Sequence, residues 1–194
     1  MYLYGASGHA KVIIEILESQ GIQVHGLFDD DPNKQSLLDY PVLQFNQSIL
    51  GNQELVIAIG DNRLRQDFAN KIKAKYGQAI HPTATISKRS SIGEGTVVMG
   101  HAIINSHTQI GKHCIINTSA SIDHDCVIED YCHISPNATI TGNVTIGEGS
   151  WIGAGAVIIP GVKIGKWCVV GAGAVILCDI KDKFKVAGNP GRVI

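Results

Sequence analysis

Residues 122–146 read IDHDCVIEDYCHISPNATITGNVTI and place an isoleucine at every sixth position. The rhythm extends in both directions, so that counting by six from Ile86 to Ile176 meets sixteen β-branched aliphatic residues without a skip. A second slot, four residues after each of these, holds only small or β-branched residues. A period of six fits neither an α-helix nor an ordinary alternating strand. It indicates short strands joined by tight corners, with three strands and three corners in each triangular coil of eighteen residues.

The repeat predicts a β-solenoid of roughly five and a half coils over residues 80–178, with the aliphatic residues stacked inside it. Cys114, Cys126, Cys132 and Cys168 occupy the second slot, so we expect small buried thiols there and no disulfides. Glycines lie at or near the corners, where positive φ costs glycine little. They are Gly93, Gly95, Gly111, Gly147, Gly149, Gly153, Gly165 and Gly171.

The first 78 residues follow a different pattern, in which strands alternate with helices. Short apolar strands are predicted at 2–5, 24–28 and 55–59, and helices at 11–17 and about 64–76. Strand–loop–helix units in series favour a small Rossmann-like parallel sheet. We therefore expect two domains, an α/β domain at 1–78 and a β-helix domain with a C-terminal tail at 79–194.

The loop after the first strand, residues 5–9, reads GASGH and lacks the full G-x-G-x-x-G dinucleotide fingerprint. Backbone N–H groups at the start of the following helix are nevertheless well placed to bind a phosphate. Asp29 and Asp30 close the second strand, where folds of this type contact a ribose or a base. The alternative is a tight turn with solvated carboxylates. Because no second nucleotide-binding half is present, a complete NAD site is not expected.

Composition narrows the class of protein. With 44% hydrophobic and 17% charged residues, the chain is expected to be an ordered globular protein. Sixteen Lys and Arg balance 17 Asp and Glu, which leaves no electrostatic footprint for nucleic acid. No apolar run reaches the ~18 residues that would span a bilayer, and residues 1–5 do not show the basic segment followed by an apolar one that is typical of a signal peptide. We expect a cytoplasmic protein without a membrane span.

Four motifs occur together: GASGHA at residues 5–10, AIGDN at 58–62, the hexapeptide repeats, and AGNPGRVI at 187–194. This combination resembles the bacterial hexapeptide-repeat sugar-nucleotide acetyltransferases, in particular the UDP-4-amino-sugar N-acetyltransferases of the bacillosamine pathway and the sialic acid O-acetyltransferases. The resemblance covers essentially the whole chain. It implies a left-handed β-helix that binds acetyl-CoA, a Rossmann-like domain that binds the nucleotide-sugar, and a homotrimer with active sites between subunits.

Acetyl transfer needs a base for the attacking amine and a donor for the developing oxyanion. Imidazole suits the first role because its pKa lies near neutral pH. Among eight histidines, His124 is distinctive because it lies at a corner between Asp123 and Asp125. The resemblance implies that His124 is the general base, as in the family's E-H-E triplet, and we choose Asp125 as its orienting carboxylate. One coil away lie Ser106 and Gly142, which are small enough to leave an open notch.

The resemblance also implies the remaining site residues. Asn117 is expected near the acceptor amine in an orienting role. The implied contacts of the nucleotide-sugar are Ser7, Gly8, His9, Asp29, Asp30 and Gly60. The implied contacts of acetyl-CoA are His133, Ser135, Gly142, Ala154 and Ala172. Direct transfer requires no covalent acyl-enzyme, and no metal ion is expected.

We therefore expect acetyl-CoA-dependent N-acetylation of a UDP-linked 4-amino-4,6-dideoxy sugar in bacterial glycan biosynthesis. O-acetylation of a sialic acid or another sugar is the close alternative, because the same protein groups would serve an alcohol. A zinc hydratase on a β-helix is a distant alternative. His101, His107 and His113 are six apart, so they are expected on the outer surface of three different faces, where they cannot converge within one chain. A non-catalytic nucleotide-sugar-binding module is the last alternative.

Overall fold

The computed structural model describes all 194 residues. Its N-terminal part contains β1 (Tyr2–Tyr4), α1 (Gly8–Ser19), β2 (Gly26–Phe28), β3 (Ser36–Leu37), β4 (Tyr40–Leu43), α2 (Gln47–Leu50), β5 (Glu54–Ile57), α3 (Asn62–Lys71) and β6 (Lys75–Tyr76). The strands form one sheet in the order β3-β4-β2-β1-β5-β6. Neighbouring strands are parallel except in the β3–β4 hairpin.

Both long helices of this part are explained by their own sequences. α1 buries one apolar face, which consists of Ala10, Ile13, Ile14, Ile16 and Leu17. The Asp61 carboxylate accepts the Leu64 N–H at 2.9 Å and so caps the start of α3. α3 ends at Lys71, earlier than the predicted residue 76. Ile72 has extended backbone there, and β6 joins the sheet beside β5.

From residue 79 onward the chain winds through very short strands. These are β7 (Ala79–Ile80), β8 (Thr85–Ile86), β9 (Ser91–Ile92), β10 (Val97–Val98), β11 (Ile103–Ile104), β12 (Gln109–Ile110), β13 (Ile115–Ile116), β14 (Ser121–Ile122), β15 (Val127–Ile128), β16 (His133–Ile134), β17 (Thr139–Ile140), β18 (Thr145–Ile146), β19 (Trp151–Ile152), β20 (Val157–Ile158), β21 (Lys163–Ile164), β22 (Val169–Val170), β23 (Val175–Ile176), β24 (Lys185–Ala187) and β25 (Arg192–Val193).

Three sheets built from these strands are the faces of a triangular prism. The first face holds β7, β10, β13, β16, β19, β22, β24 and β25; the second holds β8, β11, β14, β17, β20 and β23; the third holds β9, β12, β15, β18 and β21. Strands on a face pair in parallel, except for β24 with β25, which are antiparallel. Among strands β7 to β23, residues that pair on neighbouring strands are eighteen residues apart in the sequence, as are Ile115 and His133.

Aliphatic residues of the six-residue repeat fill the interior of the prism. From Val98 to Ile176 every sixth residue is buried, whereas Ile86 and Ile92 at the first coil are half-buried. Four cysteines are buried in this part of the chain, and all five are free thiols. The predicted architecture, a β-helix preceded by a Rossmann-like sheet, is confirmed.

The prediction that corner glycines supply positive φ holds for Gly95 (71°) and Gly149 (68°) but not for the other six of the eight. Left-handed backbone recurs every six residues and falls mostly on residues other than glycine, such as His101 and Asp125. Gly93 has no positive φ, but a Cβ there would lie 2.6 Å from the carbonyl of Gly111 on the next coil. Close stacking of successive coils is therefore what requires glycine at this position.

The N-terminal sheet packs against the first face of the prism. α1 shares one apolar cluster with Val97, Met99 and Ile115, which are buried on that face. Contacts of α3 with Glu148, Gly149 and Trp167 continue along the corner between the third and first faces. No helix combines the length and the apolar character needed to cross a membrane.

Arg65 of α3 joins the two parts through a guanidinium that is almost fully buried, with the residue only 1% exposed. It donates to five acceptors: the carbonyls of His113 (2.7 Å) and Tyr131 (2.9 Å) on the prism, and the carbonyls of Ile59 (2.9 Å) and Gly60 (3.1 Å) and the Asn62 side-chain oxygen (2.7 Å) on its own side. Burial lowers the pKa of Arg65 to about 10, so the group stays charged at neutral pH.

Candidate functional site

The residues predicted for the site lie in three separate places on one chain. The histidine corner, between the second and third faces, holds Asp123, His124, Asp125 and Gly142. The seam corner, where the first face meets the second, holds Asn117, Ser135, Ala154 and Ala172, with His133 on the adjoining strand β16. The N-terminal cleft lies beyond the carboxyl ends of β1, β2 and β5 and holds Ser7, Asp29, Asp30 and Gly60.

At the histidine corner the imidazole of His124 projects into an open cleft of about 500 Å³. The side chain is 59% exposed, and its Nδ1 lies 2.8 Å from Oδ2 of Asp125. Because a carboxylate can only accept, Nδ1 carries the proton and Nε2 of the neutral ring keeps a free lone pair. His124 is thus held at one nitrogen and available as a proton acceptor at the other.

The two flanking carboxylates raise the pKa of His124 above its usual value of 6.5. The hydrogen bond to Asp125 is the larger cause, and the charge of Asp123 is the second. Hydrogen bonds to Asp123 from the Asn105 amide (3.0 Å) and the His124 N–H (2.8 Å) lower the pKa of that carboxyl, which keeps it ionised. The corner therefore strengthens the imidazole as a base.

Gly142 lies one coil from His124 and leaves room for its ring. A Cβ at Gly142 would lie 2.7 Å from Cε1 and 2.8 Å from Nε2 of His124. We expect Gly142→Ala to displace the imidazole and lower kcat about tenfold or more. The melting temperature should change little, because the ring is exposed and free to move. Steady-state kinetics and thermal unfolding check both expectations.

Gly100→Ala is the matched control for this substitution, because a Cβ there would meet nothing closer than 3.4 Å. Its kcat should stay within about twofold of the parent protein. If Gly142→Ala also kept its kcat, the position of the His124 ring would not matter for turnover.

Several backbone N–H groups at these corners have no acceptor within the chain. Among them are the N–H of Gly142, in the same cleft as His124, and those of Ala154 and Ala172, which are exposed and one coil apart. A free donor beside a base suits an oxyanion that develops during acyl transfer. Two free donors one coil apart suit the carbonyl groups of an extended chain with amide bonds, such as the pantetheine arm of CoA.

At the seam corner His133 and Asn117 contact each other, with 3.1 Å between Nε2 and Nδ2. The ring of Trp151 stacks parallel to His133 at 5.6 Å between centroids, and its indole N–H donates to Ser135 Oγ at 2.7 Å. Burial lowers the pKa of His133 to about 3, and the nearby charge of Arg65 adds to this effect. His133 is therefore neutral at neutral pH.

The N-terminal cleft has a volume of about 270 Å³ and lies where parallel α/β sheets bind their ligands. Of the six residues predicted to contact the nucleotide-sugar, Ser7, Asp29, Asp30 and Gly60 line this cleft, whereas Gly8 and His9 do not. His9, in the first turn of α1, is half-buried near His133 instead, and its Nε2 is buried without a partner.

Asp29 and Asp30 are largely engaged by the protein itself. Asp29 accepts the Ala6 N–H at 2.7 Å and pairs with Lys34 at 2.9 Å, which ties the loop after β1 to the end of β2. Asp30 accepts the Tyr4 hydroxyl at 2.5 Å. Lys34 brings a cation into the cleft. Sequence reasoning missed this residue, although its position only five residues after Asp29 could have indicated it.

His113 corrects a further expectation, because it is 3% exposed and not on the outer surface. Its side chain does leave the prism, but the N-terminal part covers it: the ring stacks on Tyr131 and meets Tyr76 edge-on. Burial lowers the pKa of His113 to about 4. Sequence reasoning also missed Arg65, since a single buried arginine on a charged helix carries no sequence signal.

The geometry of the prism limits what one chain can bring together. The histidine corner lies opposite the first face, and the N-terminal sheet covers that face. The whole second face separates the seam corner from the histidine corner. The predicted catalytic residues His124, Asp125 and Asn117 therefore do not meet within one chain. No three side chains of His, Cys, Asp or Glu converge in a way that could hold a metal ion.

Comparison with known proteins identifies the family to which both parts of the chain belong. Residues 1–72 match the PglD N-terminal domain, and residues 107–142 and 143–178 match the bacterial transferase hexapeptide (six repeats). A variant of perosamine N-acetyltransferase from Caulobacter crescentus, in complex with CoA and GDP-perosamine, is 38% identical with a TM-score of 0.96, over 100% of this chain and 95% of that one. The chain belongs to the hexapeptide-repeat family of sugar-nucleotide acetyltransferases.

Other known proteins are similar to this chain to different extents. The acetyltransferase domain of PglB from Neisseria gonorrhoeae, in complex with acetyl coenzyme A, is 36% identical with a TM-score of 0.90, over 100% of this chain and 98% of that one. UDP-N-acetylbacillosamine N-acetyltransferase of Bacillus subtilis is 38% identical over 107 residues, which are 50% of this chain. An uncharacterised protein of Acanthamoeba polyphaga mimivirus is 30% identical over 105 residues, or 53% of this chain. The matches span 50% and 21% of the lengths of these two curated relatives.

Proposed function

We propose that this protein transfers acetyl from acetyl-CoA to the amino group of a UDP-linked 4-amino-4,6-dideoxy sugar in bacterial glycan biosynthesis. The observation that carries the proposal is His124, whose free Nε2 faces an open cleft while Asp125 holds Nδ1 at 2.8 Å. The similar proteins include a GDP-perosamine N-acetyltransferase and a UDP-N-acetylbacillosamine N-acetyltransferase. Both names describe acetylation of an amino sugar carried on a nucleotide.

Acetyl-CoA supplies an activated thioester, and the residues of the chain manage protons and charge around it. Nε2 of His124 accepts a proton from the amine as the new N–C bond forms and the C–S bond breaks. Asp125 and Asp123 stabilise the imidazolium that results. The Gly142 N–H donates to the negative charge on the thioester oxygen. His124 then returns the proton to the leaving thiolate, so that the base is restored.

In this proposal the acceptor and the base come from different chains. On one chain the N-terminal cleft and His124 lie on opposite sides of the prism, which supports a site where a neighbouring copy brings its N-terminal cleft and seam corner to His124. A homotrimer with cyclic symmetry does this three times in a closed assembly. Light scattering should give the mass of three chains. The cytoplasmic location expected from the sequence stays a prediction.

The proposed function is tested by acetyl transfer to a panel of UDP- and GDP-linked 4-amino sugars and sialic acids. We expect turnover with a UDP-linked 4-amino sugar and a product that resists hydroxylamine, because amides resist this reagent and esters are cleaved. A hydroxylamine-sensitive product would indicate O-acetylation. Lack of turnover with every acceptor, in protein that binds acetyl-CoA, would overturn the proposal.

Asp125→Asn tests the electrostatics of the base. Removing the carboxylate removes the largest cause of the raised pKa of His124, so that this pKa should fall towards its usual value. Because the neutral imidazole is the active form, the acidic limb of the pH profile of kcat/KM should move to lower pH. The plateau value of kcat/KM above this limb should fall about tenfold, since a weaker base accepts the proton less readily.

Asp130→Asn is the control for this prediction, because Asp130 lies at another corner of the prism, where its Oδ1 accepts the Lys112 N–H at 2.7 Å. Its acidic limb should coincide with that of the parent protein. If the limb of Asp125→Asn did not move either, the titration of His124 would not govern activity.

A further inference from the structure

The amide of Asn117 has a fixed orientation. Its Oδ1 accepts the backbone N–H of Thr118 at 2.8 Å, and a backbone N–H can only donate. The amide nitrogen therefore faces Nε2 of His133, 3.1 Å away. Of the two N–H bonds of this nitrogen, one is directed to His133 and the other has no acceptor in the chain.

This orientation determines the tautomer of His133. Because the Asn117 nitrogen can only donate, Nε2 of His133 must be the acceptor, and the proton of the neutral ring is on Nδ1. Nδ1 is buried without a partner in the chain. The ring cannot rotate freely, since Trp151 stacks on one side of it and the buried Ile115 is its register partner on the other.

These contacts leave neither nitrogen of His133 free for a substrate. Nε2 is occupied by Asn117, and Nδ1 is inaccessible from solvent. The free group at the seam corner is the second N–H of Asn117, which is half-buried beside Ser135, one coil away. The direct contact between His133 and acetyl-CoA that the family resemblance implied stays untested, and this geometry favours a different role for His133.

We propose that His133 is a positioning residue, which as the Nδ1–H tautomer holds the Asn117 amide so that its free N–H points into the acyl-transfer site. Asn117 is then the residue of this pair that touches the reactants, either the acetyl carbonyl or the acceptor sugar. The proposal rests on the proposed function for its kinetic consequences, but the tautomer and the amide orientation can be measured without turnover.

Kinetics separate positioning from direct contact. We expect His133→Leu to lower kcat by as much as Asn117→Ala, about 10- to 100-fold, with no further loss in the double variant. His133→Gln should retain kcat within about threefold, because the amide oxygen of glutamine can accept the Asn117 N–H in place of Nε2. The Kd of acetyl-CoA, measured by calorimetry, should stay within about twofold in all of them. A weaker Kd in both His133 variants, or additive losses, would overturn the proposal.

Nitrogen NMR of histidine-labelled protein gives the second readout. The parent protein should show His133 protonated at Nδ1 and unprotonated at Nε2. Asn117→Asp should reverse this, since a carboxylate can only accept and Nε2 must then carry the proton. An Nε2-protonated ring in the parent protein would refute the positioning role even if the enzyme acetylates no sugar in the panel. The expected tautomers without any turnover would place the failure in the proposed function instead.

Discussion

Replacing His124 with asparagine should lower kcat by ~10²-fold or more, because the substitution removes the proton acceptor for the attacking amine. Asparagine keeps the polarity and approximate size of the residue, and the exposed ring makes no packing contact that the fold needs. We therefore expect an unchanged melting temperature and an unchanged Kd for acetyl-CoA. Steady-state kinetics with the best acceptor of the panel, combined with calorimetry, measures all three quantities.

His25→Asn is the matched control. His25 is exposed and precedes β2, at the edge of the sheet opposite the N-terminal cleft. Its kcat should remain within about twofold of the parent value. Near-normal turnover of His124→Asn would refute the role of His124 as the base and would leave proton removal to water.

Replacing Arg65 with methionine should lower the free energy of unfolding by about 3–5 kcal/mol, because a buried acceptor left without its donor costs about 1–3 kcal/mol. Methionine keeps much of the apolar stem of the arginine side chain, but five acceptors lose their donor. The carbonyls of His113 and Tyr131 on the prism and the side-chain oxygen of Asn62 on α3 are then left without a hydrogen bond. Because two of these acceptors lie on the prism, the substitution should mainly weaken the packing of the N-terminal sheet against the first face. Urea unfolding followed by circular dichroism gives the free energy.

Arg63→Met supplies the comparison on the same helix. Arg63 is exposed and lies 4.3 Å from the centre of the Trp167 ring, a cation–π contact that contributes about 0.5–1 kcal/mol. Its loss should therefore be several times smaller than that of Arg65→Met. Equal losses for the two variants would mean that the buried hydrogen bonds of Arg65 contribute little to stability.

The fold was largely predictable because a strict local repeat encodes it. The aliphatic slot from Ile86 to Ile176 requires a strand and a corner every six residues, and each coil then stacks on the one before it. The Rossmann-like sheet followed from apolar strands alternating with helices. The ends of elements were less predictable: the helix expected to reach residue 76 stops at Lys71, because β5 offers the next segment a place in the sheet.

For the candidate site, the sequence supplied the residue types and not their partners. The triplet around His124 stood out by its charge pattern alone. Nothing local predicted that His113 would be covered by Tyr76 and Tyr131, or that Arg65 would hold two parts of the chain together. These contacts join residues that are far apart along the chain and meet only after the sheet has docked on the prism.

The sequence by itself determined that an imidazole between two carboxylates sits on a corner of a triangular solenoid. The reason is that a six-residue period assigns every residue to the interior, a face or a corner without reference to anything distant. Only the tertiary structure decided which corner faces away from the N-terminal sheet and that the Asn117 amide contacts His133. Both depend on which face of the prism the sheet covers, and burial between packed parts has no local pattern.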